Sequence, residues 1–169
     1  NGVVDKFIGD AIMAVWGAPV ERENDVENSL LAALEMRAVL HKFNVGRGSK
    51  SKPTIRIGMG LNTGELLAGQ IGSNDRVEYT VIGDTVNLAS RIEGLNKTFG
   101  TDILISENTY KLMRAKFHCI QLDRIKVKGK SEAQRVYAVL GKIKDTSAPK
   151  NLAELHRLID LYPQKQKGK

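Results

Sequence analysis

Four small groups of polar residues in this sequence have side chains that could carry out chemistry. They are Asp10; Lys6 with Thr80; Asn87 with Arg91; and Lys128 with Lys130. A carboxylate can hold Mg²⁺, which binds phosphate oxygens, and Arg and Lys neutralise charge that develops on phosphorus. The combination is therefore suited to a triphosphate. Each residue also has an ordinary explanation, as a turn former or as part of a solvated surface, so the spacing alone leaves open whether the groups converge.

Asp10 is predicted at the tip of a β-hairpin. Two apolar runs, residues 3–8 and 11–16, flank the dipeptide formed by Gly9 and Asp10. A Gly at the first central position suits the mirror-image turn that joins two antiparallel strands. A carboxylate on such a turn stays open to solvent and ligand while the strands hold its backbone, which is a good position for a metal ligand. Turns also favour Asp for reasons of the backbone alone.

Asn87 and Arg91 are predicted on one face of a helix over about residues 85–95. Gly83 and Asp84 end the preceding strand and begin this helix. Residues four apart in a helix lie on the same side, so the two polar side chains project together. The residues expected to face the core recur at helical spacing and are Leu88, Ile92 and Leu95.

The remaining elements are predicted to form a sheet and the helices that cover it. They are a helix from a capping box at Asn24 and Glu27 to about Phe43, a strand over 55–61, a β-ribbon over 66–82, a strand over 102–105, a helix capped by Ser106, strands over 119–127 and 133–140, and a helix over 151–162 outside the main domain. This order indicates an α/β sandwich around a mainly antiparallel sheet. Gly58 and Gly60 indicate that a helix or a ligand packs close to their strand. The ribbon, with its apolar residues, is suited to a partner subunit.

The length of 169 residues and the composition favour one domain in the cytoplasm. The single cysteine, Cys119, excludes an internal disulfide framework, and no apolar run is long enough to span a bilayer. The net charge of +7, from 26 Lys and Arg against 19 Asp and Glu, indicates either a solvated surface or an anionic partner. That partner would be a nucleotide, a nucleic acid or a membrane surface. An aromatic content of 5% and the lack of an aromatic strand motif argue against an RNA-recognition domain.

Two sequence blocks closely resemble signature blocks of the class III nucleotide cyclases. The first, DKFIGDA, covers Asp5 to Ala11, and the second, YTVIGDTVNLASR, covers Tyr79 to Arg91. VKGK, from Val127 to Lys130, resembles a third block, and the three follow in the order of the family. The resemblance implies a ferredoxin-like α/β fold with a mainly antiparallel sheet. It places the catalytic domain over residues 1–141 and leaves 142–169 as a linker and a C-terminal helix with a basic tail.

The resemblance also implies an activity and a role for each candidate residue. Members of the family convert ATP or GTP to a 3′,5′-cyclic nucleotide and pyrophosphate, with Mg²⁺ or Mn²⁺, at two sites shared across a homodimer. By this resemblance Asp10 is the second of two metal-binding aspartates, Lys6 and Thr80 recognise the base, Asn87 orients the ribose, Arg91 stabilises the transition state, and Lys128 binds the terminal phosphates.

The residues that resemble the base-recognition pair favour ATP. Adenine offers an acceptor at N1 and a donor at N6, and Lys6 can donate while Thr80 can accept. Guanylyl enzymes of this family typically have Glu at the position of Lys6, and many adenylyl enzymes have Asp at that of Thr80. The Thr variant resembles the subgroup that bicarbonate often stimulates, and a bicarbonate response is a hypothesis for this chain.

One departure from the family pattern concerns the metal site. The resemblance implies a first metal-binding aspartate on a strand before the hairpin, and the chain begins at Asn1, after that strand. We therefore expect an N-terminally truncated domain in which one carboxylate of a two-metal site is missing, so that this fragment alone is inactive or depends on a preceding part. The alternatives are a guanylyl cyclase of the same family and a catalytically inactive cyclase-like module for dimerisation or regulation. An upstream sensor domain is a further expected partner.

Overall fold

The computed structural model describes residues 2–73, 76–125 and 133–159. Eight strands and five helices lie within these ranges. The strands are β1 (Val3–Ile8), β2 (Ala11–Val15), β3 (Met59–Leu61), β4 (Leu67–Ser73), β5 (Arg76–Ile82), β6 (Ile103–Ser106), β7 (Phe117–Ile125) and β8 (Gln134–Lys142). The helices are α1 (Asp25–Asn44), α2 (Asp84–Gly94), α3 (Asn96–Phe99), α4 (Glu107–Met113) and α5 (Leu152–Ile159).

The main sheet has four strands in the order β3-β6-β8-β7. Strand β3 runs parallel to β6, and β8 is antiparallel to both β6 and β7. Two separate hairpins, β1-β2 and β4-β5, complete the strands. The prediction of an α/β sandwich with a mainly antiparallel sheet is confirmed. Strand β3 is shorter than predicted, since only the last three residues of the alternating run 55–61 pair with a neighbour.

Helices cover both faces of the main sheet, which explains why the consecutive residues 103–105 of β6 and 136–140 of β8 are all buried hydrophobic residues. On one face Leu104 packs with Leu88 and Ile92 of α2. On the other face Ile103 and Ile105 pack with residues of α1. None of the described helices is long and apolar enough to cross a membrane.

Helix α5 packs on the same face of the sheet as α2. Leu155 is fully buried in the cluster that contains Leu88 and Ile92. The ring nitrogen Nε2 of His156 lies 3.3 Å from the carbonyl oxygen of Phe99. The expectation that this helix lies outside the main domain is therefore wrong in this respect, because Leu155 contributes to the core. The division of the chain at residue 142 remains a prediction.

A buried ion pair ties α1 to the sheet. Arg37 donates from Nε and Nη2 to the two carboxylate oxygens of Asp102, at 2.6 and 2.7 Å. The same guanidinium donates to the carbonyl oxygens of Val139 and Leu140 at the end of β8. Such a pair satisfies both buried charges, and removing one partner would leave the other uncompensated.

The predicted capping box at the start of α1 does not form. Asn24 occupies the N-cap position, but its side chain makes no capping hydrogen bond. Instead, the Asp25 carboxylate accepts a hydrogen bond of 2.6 Å from the backbone amide of Arg22. This bond fastens the loop that precedes the helix, and the helix still begins where the sequence indicated.

Gly60 lies directly beneath α2. A Cβ built on Gly60 would collide with the backbone nitrogen of Glu93 and the carbonyl oxygen of Ala89. Gly58 is also crowded, since its Cβ would lie 2.8 Å from Oε1 of Glu93. Of the two neighbours expected for this strand, a helix or a ligand, the helix is the one present.

We predict that Gly60→Ala destabilises the domain by about 1–3 kcal/mol, because α2 would have to move away from β3. The matched control is Gly94→Ala at the end of α2, where a built Cβ meets nothing within 4 Å. That substitution should be neutral or stabilising, since Ala is the better helix former. Urea unfolding followed by circular dichroism measures both. Equal stabilities for wild type and Gly60→Ala would contradict the close contact.

Candidate functional site

Asp10 lies where the sequence places it, at the tip of the β1-β2 hairpin. The strands pair in register, with Ile8 opposite Ala11. Gly9 has a φ of +61°, which a glycine adopts without strain and which the tight turn requires. The side chain of Asp10 is exposed and makes no hydrogen bond with any other described residue. Its carboxylate is therefore open to a ligand.

Lys6 and Thr80 are brought together by a third residue, Asp5. The Thr80 hydroxyl donates a hydrogen bond of 2.9 Å to Oδ2 of Asp5. The Lys6 ammonium lies 3.7 Å from that same oxygen and 3.5 Å from Oε2 of Glu78. Strands β1 and β5 are separated by about seventy residues in the chain, so this contact is the point at which the two hairpins meet.

A β-bulge in β1 brings Asp5 to this position. Val4 pairs with Ala14 and Lys6 pairs with Met13, so Asp5 is the extra residue in its strand. Adjacent residues of a regular strand point to opposite faces, and a bulge redirects a side chain from that alternation. Both Asp5 and Lys6 can therefore approach β5 together.

Helix α2 carries Asn87 and Arg91 on an exposed face, as predicted. Leu88 and Ile92 hold the opposite face in the core, at 4% and 0% exposure. Gly83, with φ of +144°, precedes the helix and allows the sharp change of direction after β5. The helix therefore presents the two polar side chains from a fixed base.

Two hydrogen bonds fasten the first turn of α2. The amide group of Asn62 donates to the carbonyl oxygen of Thr85 at 2.9 Å. The hydroxyl of Thr85 donates to the carbonyl oxygen of Glu65 at 2.6 Å. These bonds join the helix to the segment after β3 and so fix the position of the first turn of α2, two residues before Asn87.

Lys128 and its neighbour Lys130 lie outside the described residues. Their predicted role in binding phosphate therefore stays a prediction. Asp10 and Asn87 share no hydrogen bond among the described residues. The structure thus links Lys6 with Thr80 through Asp5 and places Asn87 and Arg91 on one helix, and no described hydrogen bond connects Asp10 to either pair.

A metal ion would need ligands beyond Asp10. Within residues 2–73, 76–125 and 133–159, no group of three or more His, Cys, Asp or Glu side chains could hold one. Asp5, the nearby carboxylate of β1, is committed to Thr80 and Lys6. The described residues alone do not form a complete metal site.

Cys119 has no part in this chemistry. Burial raises the pKa of its thiol to about 12. The thiolate, which is the nucleophilic form, is therefore scarce at neutral pH.

Two grooves lie near the predicted residues, and none of those residues lines either one. A groove of about 310 Å³ lies between the hairpins and is lined mainly by apolar side chains, with Asp5 among them. A second, more open groove of about 420 Å³ lies between β4 and the end of β5. Lys6, Thr80, Asn87 and Arg91 thus lie outside the linings of these two grooves.

Three residues of this region were missed by sequence reasoning. Asp5 was visible only as part of a signature block, because neither its bulge nor its distance to Thr80 can be read from spacing. Spacing gives no signal for the bond between Asn62 and Thr85, because their contact depends on the packing of α2 over β3.

Comparison with known proteins identifies the family of the chain. The family described as Adenylate and Guanylate cyclase catalytic domain matches residues 4–141. Among relatives, the chain is 35% identical over 144 residues to Adenylate cyclase 1 of Rhizobium meliloti (strain 1021), covering 85% of this chain and 22% of that protein. It is 41% identical over 146 residues to an adenylate cyclase of Anabaena cylindrica, covering 82% of this chain and 28% of that protein. This chain thus spans less than a third of the length of either relative.

A solved structure has the same fold. The crystal structure of the guanylyl cyclase Cya2 superposes with a TM-score of 0.74 at 29% identity, covering 87% of this chain and 74% of that chain. The family match over residues 4–141 takes in both hairpins and the main sheet.

Proposed function

The chain belongs to the adenylate and guanylate cyclase catalytic domain family, and from that premise we propose that it converts ATP to 3′,5′-cyclic AMP and pyrophosphate. The observation that carries this proposal is that Lys6 and Thr80 both contact the same carboxylate oxygen of Asp5. Two side chains from distant parts of the sequence form a donor and an acceptor side by side, which suits the edge of adenine. Because the substrate is ATP, we place the domain in the cytoplasm.

Lys6 and Thr80 read the base in this proposal. The ammonium of Lys6 has donors only, and it would donate to N1 of adenine. The oxygen of Thr80 would accept from the amino group at N6. A guanylyl cyclase of the same family is the second candidate, because the similar structure of Cya2 is that of a guanylyl cyclase. Guanine carries a hydrogen at N1 and an acceptor at O6. The ammonium of Lys6 would therefore face another donor at N1, which argues against GTP as the substrate.

Asn87 and Arg91 act on the ribose and the phosphates. Asn87 would hold the ribose so that its 3′-oxygen faces the α-phosphorus, and pyrophosphate leaves as the new bond forms. Arg91, one turn further along α2, would neutralise charge that develops on phosphate oxygens. Both side chains are exposed on a helix whose other face, at Leu88 and Ile92, lies in the core, so the helix presents them toward a ligand. Lys128 is proposed to bind the terminal phosphates.

Asp10 is proposed as one ligand of a divalent cation, Mg²⁺ or Mn²⁺. Its carboxylate is exposed on a tight turn, and hard cations prefer such oxygen ligands. Such a cation draws charge from phosphate oxygens when it is bound. The second carboxylate has to come from elsewhere in the protein. If no other part supplies it, the chain is a catalytically inactive cyclase-like module, which is the alternative from another functional class.

A second copy of the chain is proposed to complete the site. Phe7 and Ile12 pair across the β1-β2 hairpin and are 72% and 56% exposed. On the second hairpin Leu67 and Tyr79 are 64% and 52% exposed. Exposed apolar side chains on both hairpins indicate an interaction surface. A symmetric dimer would cover it and bring Asp10 of each copy to α2 of the other.

We predict that Lys6→Glu in the full-length protein lowers kcat/KM for ATP by about tenfold to hundredfold. The change removes the donor to N1 and places an acceptor there, which costs roughly 1–3 kcal/mol. Lys42→Glu, the same change of charge on the exposed end of α1, is the control and should have no such effect. Parallel assays with ATP and GTP give the measurement. Full ATP activity in Lys6→Glu would show that Lys6 does not read the base.

We predict that Arg91→Ala lowers kcat by roughly a hundredfold or more and changes nucleotide binding little, since its charge is needed most in the transition state. Arg114→Ala, at the exposed end of α4, is the matched control. Steady-state rates together with equilibrium binding of a non-reactive ATP analogue separate the two effects. Weak binding with a normal kcat would instead show that Arg91 contributes to binding of the substrate in its ground state.

The shared site predicts that two inactive variants restore each other. Asp10→Ala and Arg91→Ala should each be nearly inactive alone. In a mixed dimer, both lesions fall in one site and the other site is intact. Activity should return in proportion to the fraction of mixed dimers, which differently tagged subunits would quantify. A mixture that stays inactive although the subunits have exchanged would rule out sites shared in this way.

A further inference from the structure

We propose that Asp5 sets the preference for ATP over GTP by making the Thr80 hydroxyl an acceptor. This inference rests on the proposed function, because it concerns the base that Lys6 and Thr80 read. A threonine hydroxyl has one hydrogen to donate and lone pairs that accept. Facing a purine, a free hydroxyl can accept from the amino group of adenine or donate to O6 of guanine. Thr80 by itself therefore does not discriminate between the two bases.

The hydrogen bond to Asp5 removes this ambiguity. Oδ2 of Asp5 can only accept, so the hydrogen of the Thr80 hydroxyl points at the carboxylate over their 2.9 Å contact. The side chain of Asp5 is 7% exposed and Thr80 is 8% exposed. Water therefore competes little for either group, and a hydrogen bond to a charged acceptor is among the stronger ones. The lone pairs of Thr80 are what remains for a ligand.

Asp5 also acts on Lys6. Its Oδ2 lies 3.7 Å from the Lys6 ammonium, on the same oxygen that Thr80 contacts. Oε2 of Glu78 lies 3.5 Å from the same ammonium. One carboxylate thus places a fixed donor beside a fixed acceptor. Adenine matches this order at N1 and N6, whereas guanine mismatches at both positions.

The backbone supports the same assignment independently. Asp5 is the extra residue of the bulge in β1. Bulges occur next to active sites, where they re-aim a side chain. Without the bulge, Asp5 and Lys6 would point to opposite faces of the strand and could not both approach Thr80. Asp5 is therefore a positioning residue, since it acts through Thr80 and Lys6 and need not contact the base.

The test measures kcat/KM for ATP and for GTP with the full-length protein and its Asp5 variants. Asp5→Leu removes the acceptor, frees the Thr80 hydroxyl to donate, and should lower the ATP-to-GTP ratio by roughly tenfold. Asp5→Asn should keep most of the ratio. Its amide oxygen stays toward Thr80, because a flipped amide would point its hydrogens at the Lys6 ammonium. Asp5→Leu with an unchanged ratio would overturn the inference.

Two further variants separate the effect of Asp5 on the Thr80 hydroxyl from a loss of folding or a change of packing. If Asp5→Leu does not fold, Asp5→Ser replaces it, since a serine hydroxyl can donate to Thr80 as well as accept, and the same fall in the ratio is expected. In a Thr80→Val background, Asp5→Leu should cause no further change in the ratio. An equal fall in that background would show that Asp5 does not act through the hydroxyl and would overturn the inference.

The wild-type protein separates this inference from the proposed function. A wild type that forms neither cyclic nucleotide contradicts both. If the wild type prefers ATP and all Asp5 variants keep that preference, the proposed function stands and the role of Asp5 is refuted. If the wild type prefers ATP and the preference falls in Asp5→Leu but not in Asp5→Asn, both are supported.

Discussion

The close contact between α2 and β3 is the constraint on which the position of the candidate catalytic residues depends. At Gly60 the strand has no side chain, so the helix backbone rests on it at Ala89 and Glu93. Leu88 and Ile92 then reach the core, where close packing leaves a helix little freedom to rotate. The exposed face of α2 is consequently fixed with respect to the sheet. Residues on a rigid element of this kind can be held to the precision that phosphate chemistry needs.

A different kind of interaction organises Lys6 and Thr80, the proposed base-recognition residues. The Asp5 carboxylate is nearly buried, and a buried charge is tolerated only when it is paired and hydrogen-bonded. Lys6 and Thr80 satisfy that requirement, so the same contacts that stabilise the carboxylate also orient the two side chains. The Asp5 carboxylate therefore serves both the local stability of this cluster and the proposed recognition of the base. This arrangement places a polar cluster at the junction of two hairpins that otherwise meet through apolar side chains.

Sequence reasoning succeeded where the signal was local. The turn at Gly9, the helix after Gly83 and the cap at Ser106, which accepts from the amide of Thr109, each depend on a few adjacent residues. It failed where the outcome depends on contacts between distant segments. The bulge at Asp5 is of this kind, since it leaves no periodic pattern. The docking of Leu155 is too, because the apolar spacing of α5 predicts a helix but not the surface that it packs on. The pair formed by Arg37 and Asp102 was likewise invisible, because each residue alone resembles an ordinary surface charge.

The β1-β2 hairpin links assembly to activity in the proposed dimer. It is a two-stranded sheet of its own, and an isolated two-stranded hairpin is marginally stable in water. Its polar contacts to the rest of the chain, at Asp5 and Lys6, lie on one side, while Phe7 and Ile12 remain exposed. A second copy that covers these apolar residues would stabilise the hairpin and, with it, the turn that carries Asp10. The dimer would then supply the metal ligand and rigidify it in the same step, so that a separate chain would lack both the partner's carboxylate and a firm support for its own.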